Sequence, residues 1–154
     1  MKIFNEIIYK TKLLANDKNT SLSDMLATVC ELLQQSIDYY DWVGFYFHET
    51  HRPVLRLKAF AGDPTEHTEI PFGKGICGQV AVSNEIFLVD DVGEQDNYIA
   101  CSLTVKSELV VPLFVDNKNI GQIDIDSHKL KAFSNKDVTF LEEINRYVSQ
   151  KIKS

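Results

Sequence analysis

The sequence predicts an α+β fold: an antiparallel sheet with the terminal helices on one face and a pocket under a covering segment on the other. Three observations carry this expectation. Apolar residues recur at helical spacing at both ends of the chain, they alternate with period two in between, and a turn-rich stretch joins two of the alternating segments as a hairpin.

At the N-terminus Ile3, Phe4, Ile7, Ile8 and Leu14 follow helical spacing, and residues 16–20 form a turn-rich break. Ser21 with Asp24 reads as a capping box before a second helix striped by Leu22, Met25, Leu26, Val29, Leu32 and Leu33. The period then changes. Segment 42–48 sets Val43, Phe45 and Phe47 against Trp42, Gly44, Tyr46 and His48, and segment 54–61 sets Leu55, Leu57 and Ala59 against Arg56, Lys58 and Phe60. Segment 107–115 alternates Leu109, Val111 and Leu113 with Glu108, Val110, Pro112 and Phe114. Segment 120–126 alternates Gly121, Ile123 and Ile125 with Gln122, Asp124 and Asp126. Asp116-Asn117-Lys118-Asn119 supplies the turn between these last two. Ser134 with Asp137 caps a closing helix striped by Val138, Leu141, Ile144, Val148 and Ile152. Residues 62–105 show only a short helix around 75–83 and a short strand around 86–89, so the sheet is expected to hold five or six strands. A long connection inside a compact domain usually binds or covers something, and here it is expected to roof the sheet face the helices leave open.

The 154 residues, 44% hydrophobic and 25% charged, fit a single domain spanning 1–154 that needs no staples. Sixteen Lys+Arg against 22 Asp+Glu give a net charge of −6, which disfavours a nucleic-acid partner. Asn5, Glu6 and Lys10 interrupt the apolar N-terminus as a signal peptide would not allow, and no stretch approaches the ~20 apolar residues of a membrane span. Three cysteines without a CxxC pair point away from a disulfide framework and toward a reducing, cytoplasmic setting.

The chemistry concentrates on one sheet face. Asp124 and Asp126, two apart on one strand, point the same way; Glu108 lies on the neighbouring strand, and Trp42 and Tyr46 share a face on another. Acids are depleted in strands and repel when close. Either this face is solvated, or it is a pocket for a cation, with carboxylates neutralising an ammonium group and the aromatics adding cation–π attraction. Cys30 sits beside an apolar helical stripe and reads as core. Cys77 stands in Gly73-Lys74-Gly75-Ile76-Cys77-Gly78, at the start of a helix whose dipole, with Lys74, favours a thiolate. Cys101 lies in Tyr98-Ile99-Ala100-Cys101-Ser102, and two thiols in one connecting segment can attack and resolve in turn, or simply be unreactive. The glycine run lacks GxGxxG spacing and the GK[ST] ending of a phosphate loop. The histidines show no ligand spacing, and a zinc site from His67, Cys77 and Cys101 is a remote alternative, so neither a metal nor a cofactor is expected.

Together the strings Trp42-Val43-Gly44-Phe45-Tyr46, Ile70-Pro71-Phe72-Gly73-Lys74-Gly75-Ile76-Cys77-Gly78, Ile99-Ala100-Cys101, Ser107-Glu108-Leu109-Val110-Val111-Pro112 and Asp124-Ile125-Asp126-Ser127 resemble a GAF domain and, within that superfamily, the free methionine-(R)-sulfoxide reductases. The resemblance implies an enzyme that reduces free methionine-(R)-sulfoxide. Glu108, Asp124 and Asp126 would meet the substrate ammonium, Trp42 and Tyr46 the methyl-sulfoxide end, Cys101 would attack and Cys77 resolve. It also implies thioredoxin or a similar reductant and a homodimer formed through the terminal helices. The chain departs from the family pattern at His67, where a third cysteine is usual, in Lys58-Ala59-Phe60-Ala61-Gly62, which usually reads GPFQG, and at Gly93 and Ser102, where histidine and aspartate are common. A non-catalytic GAF sensor or regulatory module binding another small molecule is the alternative these departures leave open.

Overall fold

The computed structural model describes residues 1–95 and 104–154. Two helices, α1 (Lys2–Asn16) and α2 (Leu22–Ser36), precede β1 (Trp42–His48) and β2 (Val54–Ala61). Then come β3 (Glu69–Pro71), α3 (Gly75–Ser83) and β4 (Phe87–Val89), the hairpin β5 (Ser107–Val115) and β6 (Lys118–Ser127), and the closing helix α4 (Asn135–Lys153). The strands form a six-stranded antiparallel sheet in the order β3-β2-β1-β6-β5-β4.

Local chemistry explains the boundaries. Ser21 accepts a hydrogen bond from the Asp24 N–H at the start of α2. At α4 both halves of the capping box form, Ser134 and Asp137 each accepting from the other's end of the first turn. Asp116 and Asn117 both take positive φ, 51° and 66°, the backbone of a two-residue hairpin turn that matches strand twist. The 62–105 connection holds more than its sequence suggests. Glu69–Pro71 adds a strand beside β2, and a short 3-10 turn covers Val92–Glu94. Three residues are too few to reveal a period.

Both faces of the sheet are covered. On one, α1, α2 and α4 pack their stripes against Val43, Phe45, Leu109, Val111, Leu113, Ile123 and Ile125. Phe4 and Phe140 stack there with ring centroids 4.0 Å apart. On the other, α3 brings Ile76, Val80 and Ala81 against Tyr46, Leu55, Ile70 and Val110. The regular alternation expected for 54–61 is corrected by the pairing: Phe45 faces Ala59 while Tyr46 faces Leu57, so Lys58 is an extra, exposed residue forming a β-bulge. Leu55 and Leu57 consequently turn to the α3 side, while Ala59 and Ala61 turn to the helix layer.

Candidate functional site

The acid-bearing face lies beneath α3. In the ladders Asp126 pairs with both Trp42 and Glu108, and Asp124 pairs with Gly44 and Val110. Each acid therefore sits on a strand covered on both faces, and Glu108, Asp124 and Asp126 are only 4%, 1% and 1% exposed. This excludes a solvated outer face, one of the two readings the pattern had left open.

A glycine backbone positions the thiol. Gly73 and Gly75 take φ of 85° and 61°, where a side chain would be strained. Gly78 packs so closely that a Cβ would lie 2.6 Å from the Pro71 carbonyl oxygen. Gly73 N–H donates to the Gly78 carbonyl at 2.8 Å, closing the turn, and Gln122 Nε2 donates to the Cys77 carbonyl at 3.1 Å, fastening α3 to β6. Cys77, in the first turn of α3, is thereby carried to the carboxylates, and its thiol donates to Glu108 Oε2 at 3.9 Å. Side-chain hydrogen bonds also link Asp124 to Glu108 and to Cys77, and burial raises the Asp124 pKa above its ordinary value against the lowering effect of those two bonds. The sequence had placed only the helix terminus and Lys74 near this sulfur; the carboxyl group is an added neighbour.

The aromatic wall is set by a missing side chain. The Trp42 indole folds across Gly44, whose Cβ, were there one, would collide with Cη2 and lie 2.6 Å from Cζ3. Trp42 Nε1 donates to the Asp63 carbonyl at 3.0 Å, and Phe60 stacks on the indole at 5.9 Å. The Tyr46 ring follows at 6.4 Å, its hydroxyl donating to the His67 carbonyl at 2.8 Å.

Of the residues singled out from sequence, Tyr46, Cys77, Glu108 and Asp124 line one cavity together with His67, Ile70, Lys74, Gly75 and Ile76. Trp42 and Asp126 pair two ladder positions further along, on the same face, and are not among the lining residues. Cys101 lies outside the described residues. Sequence reasoning passed over Gln122 as an anchor and Gly44 as the seat of the indole; Gln122 shares the face of Asp124 and Asp126, which was the available signal.

A profile of the GAF domain matches residues 19–153. The chain is 37% identical to GAF domain-containing protein A of Dictyostelium discoideum over 119 residues, covering 77% of this chain and 73% of that one. It is 35% identical to the free methionine-R-sulfoxide reductase of Escherichia coli over 125 residues, covering 81% and 74%. The solved structure of free methionine-R-sulfoxide reductase from Neisseria meningitidis, in complex with its substrate, superposes with a TM-score of 0.89 at 32% identity, covering 97% of this chain and 88% of that one.

Proposed function

The chain belongs to the GAF domain family, and from that premise we propose that it reduces free methionine-(R)-sulfoxide to methionine, with Cys101 attacking and Cys77 resolving. The observation that carries this reading is the meeting of Cys77, Glu108 and Asp124 in one buried cavity walled by Tyr46.

In this reading the substrate ammonium meets the cluster of Glu108, Asp124 and Asp126, one of whose carboxyls keeps its proton, while Trp42 and Tyr46 receive the methyl-sulfoxide end. Attack of the Cys101 thiolate on the sulfoxide sulfur transfers oxygen to cysteine, so that methionine leaves and Cys101 becomes a sulfenic acid. A buried carboxyl protonates the sulfoxide oxygen as its bond to sulfur breaks, and Asp124, which burial keeps inclined to hold a proton, is suited to that step. The Cys77 thiol then condenses with the sulfenic acid: an S–S bond forms and water departs. Thioredoxin or a similar dithiol takes the disulfide back to two thiols. One sulfoxide and two thiols thus give one thioether, one disulfide and one water. The same reading pairs two copies of the chain through the amphipathic terminal helices, where Tyr9 and Leu13 of α1 remain exposed.

Methionine released per enzyme, with and without a reductant, tests the proposal. Wild type is expected to turn over with a dithiol, and Cys101→Ser to release nothing. Cys77→Ser is expected to release about one equivalent and then stall until an external thiol is added. Absence of release from wild type under both conditions would leave the second reading, a non-catalytic small-molecule-binding GAF module. That reading is favoured by His67 in the place of a third cysteine. Loss of even the first turnover in Cys77→Ser would reverse the two thiol roles.

A further inference from the structure

The cavity beneath α3 is closed on the scale of a molecule and open on the scale of an atom. Its free volume is ≈ 10 Å³, about enough for one water-sized occupant. Into it converge a thiol and two carboxyl groups: ligand atoms of Cys77, Glu108 and Asp124 all lie within 4.8 Å of one another, and all three residues are buried. A cluster of acids alone would mean little. Here a second feature marks the site, because Asp124 Oδ1 is buried and has no hydrogen-bond partner among the described residues. Asp124 itself is 1% exposed and lines the cavity, so this oxygen is an acceptor taken out of water without compensation.

Sulfur beside carboxylate oxygen selects among cations. Magnesium and calcium take oxygen ligands, whereas a thiolate favours zinc and its neighbours in the first transition row. Tetrahedral zinc, with bonds of about 2.3 Å to sulfur and about 2.1 Å to oxygen, holds those two ligand atoms about 3.6 Å apart. Cys77 Sγ and Glu108 Oε2 stand 3.9 Å apart already. The frame is also stiff, since Cys77 is in the first turn of α3 and Gln122 ties its carbonyl to β6.

We propose that Cys77, Glu108 and Asp124 bind a thiophilic divalent cation of the zinc type, with water completing the coordination. On binding, the Cys77 S–H bond breaks, an S–metal bond forms and the proton goes to solvent; nothing is oxidised or reduced. The ion occupies the place assigned above to the substrate ammonium and ties up the thiol assigned to resolution, so it acts as an inhibitor. Its binding does not depend on turnover, and a spectroscopic test therefore separates this proposal from the catalytic one.

The test uses the full-length reduced protein with Co²⁺ as the probe and Zn²⁺ as competitor. A near-ultraviolet thiolate-to-cobalt charge-transfer band is expected to saturate at one equivalent and to disappear on adding Zn²⁺. Cys77→Ser should abolish it, and Asp124→Asn should weaken cobalt affinity by roughly tenfold or more. A Cys30→Ser/Cys101→Ser double variant, in which Cys77 is the sole thiol, should keep the band; this variant decides the matter even if Cys77→Ser fails to fold. No band in wild type, a band that survives in folded Cys77→Ser, or its loss from the double variant would each overturn the proposal.

Discussion

Asp126 and Glu108 are direct partners across the β6–β5 ladder, and both are buried. Directly opposed acids on one face work against the sheet that carries them. Asp126→Asn is therefore expected to raise the melting temperature of the ligand-free protein by a few degrees. The same change should weaken binding of the sulfoxide amino acid by about 3 kcal/mol or more, over a hundredfold in affinity, because a buried charge loses its partner. Thermal melts and titration calorimetry read the two effects separately, and a variant that lost both stability and affinity would contradict the argument.

Asp124 makes a prediction about pH. Burial raises its pKa in the folded state, so between its unfolded and folded pKa the native protein holds a proton that the unfolded chain has released. Stability contributed by this group is present at low pH and is lost as pH rises from about 4 through the folded value. Asp124→Asn removes that loss. Its melting temperature relative to wild type should be more favourable at pH 8 than at pH 4, and a difference independent of pH would refute the sign.

Gly44→Ala displaces the indole of Trp42 from its seat, because the new methyl group would occupy the ring's position. The expected cost is about 1–3 kcal/mol. Trp42 is the sole tryptophan of the chain, so its fluorescence maximum and near-ultraviolet circular dichroism report the displacement directly. An unchanged spectrum would show that the seat is not needed.

Asp137 joins the C-terminal helix to the segment before β1. Its Oδ1 accepts from the Tyr39 and Tyr40 hydroxyls at 2.8 and 2.7 Å, and its Oδ2 accepts from the Ser134 N–H at 3.0 Å. Asp137→Ala should cost about 3 kcal/mol or more, read as a lower denaturation midpoint, by stranding two hydroxyls and the helix cap. Burial and this carboxylate also raise the pKa of both tyrosines. The folded protein thus keeps protons the unfolded chain gives up above about pH 10, and stability falls as pH rises beyond that point. The alkaline loss should be shallower in Asp137→Ala.

Lys58 separates side-chain chemistry from backbone count. Lys58→Gln should stay within about 0.5 kcal/mol of wild type, since the side chain is exposed. Deleting residue 58 removes the extra residue, and strict alternation then keeps Leu55 and Leu57 on one face and Ala59 and Ala61 on the other, so the deletion variant should still fold. Expression and melting of the deletion variant check this, and a deletion variant that fails to fold would contradict the bulge.

Much of this architecture was legible because local signals agreed. Helix caps at Ser21 and Ser134, the Asp116-Asn117 turn, and clean alternation in β1, β5 and β6 all point to one sheet with helices at its ends. The acid and aromatic residues could be assigned to one face for the same reason. What sequence could not carry was depth. Whether Asp124 and Asp126 met water depended on α3 closing over them, a tertiary event. The bulge at Lys58 was hidden because an extra residue leaves no trace in composition, and Gly44 signals its role only once the indole lies across it.

Covering the sheet on both faces has a consequence for how the molecule opens. The helix-side cluster, held by α1, α2 and α4, is the larger, and the cluster beneath α3 is the smaller, bounded by three-residue strands at both sheet edges. Amide hydrogen exchange should therefore proceed in tiers, with β3, β4 and α3 releasing first and β1, β6 and α4 last. The candidate site thus sits on the layer that opens most readily, so a ligand of the proposed kind would enter and leave through partial openings while the other layer keeps the chain folded.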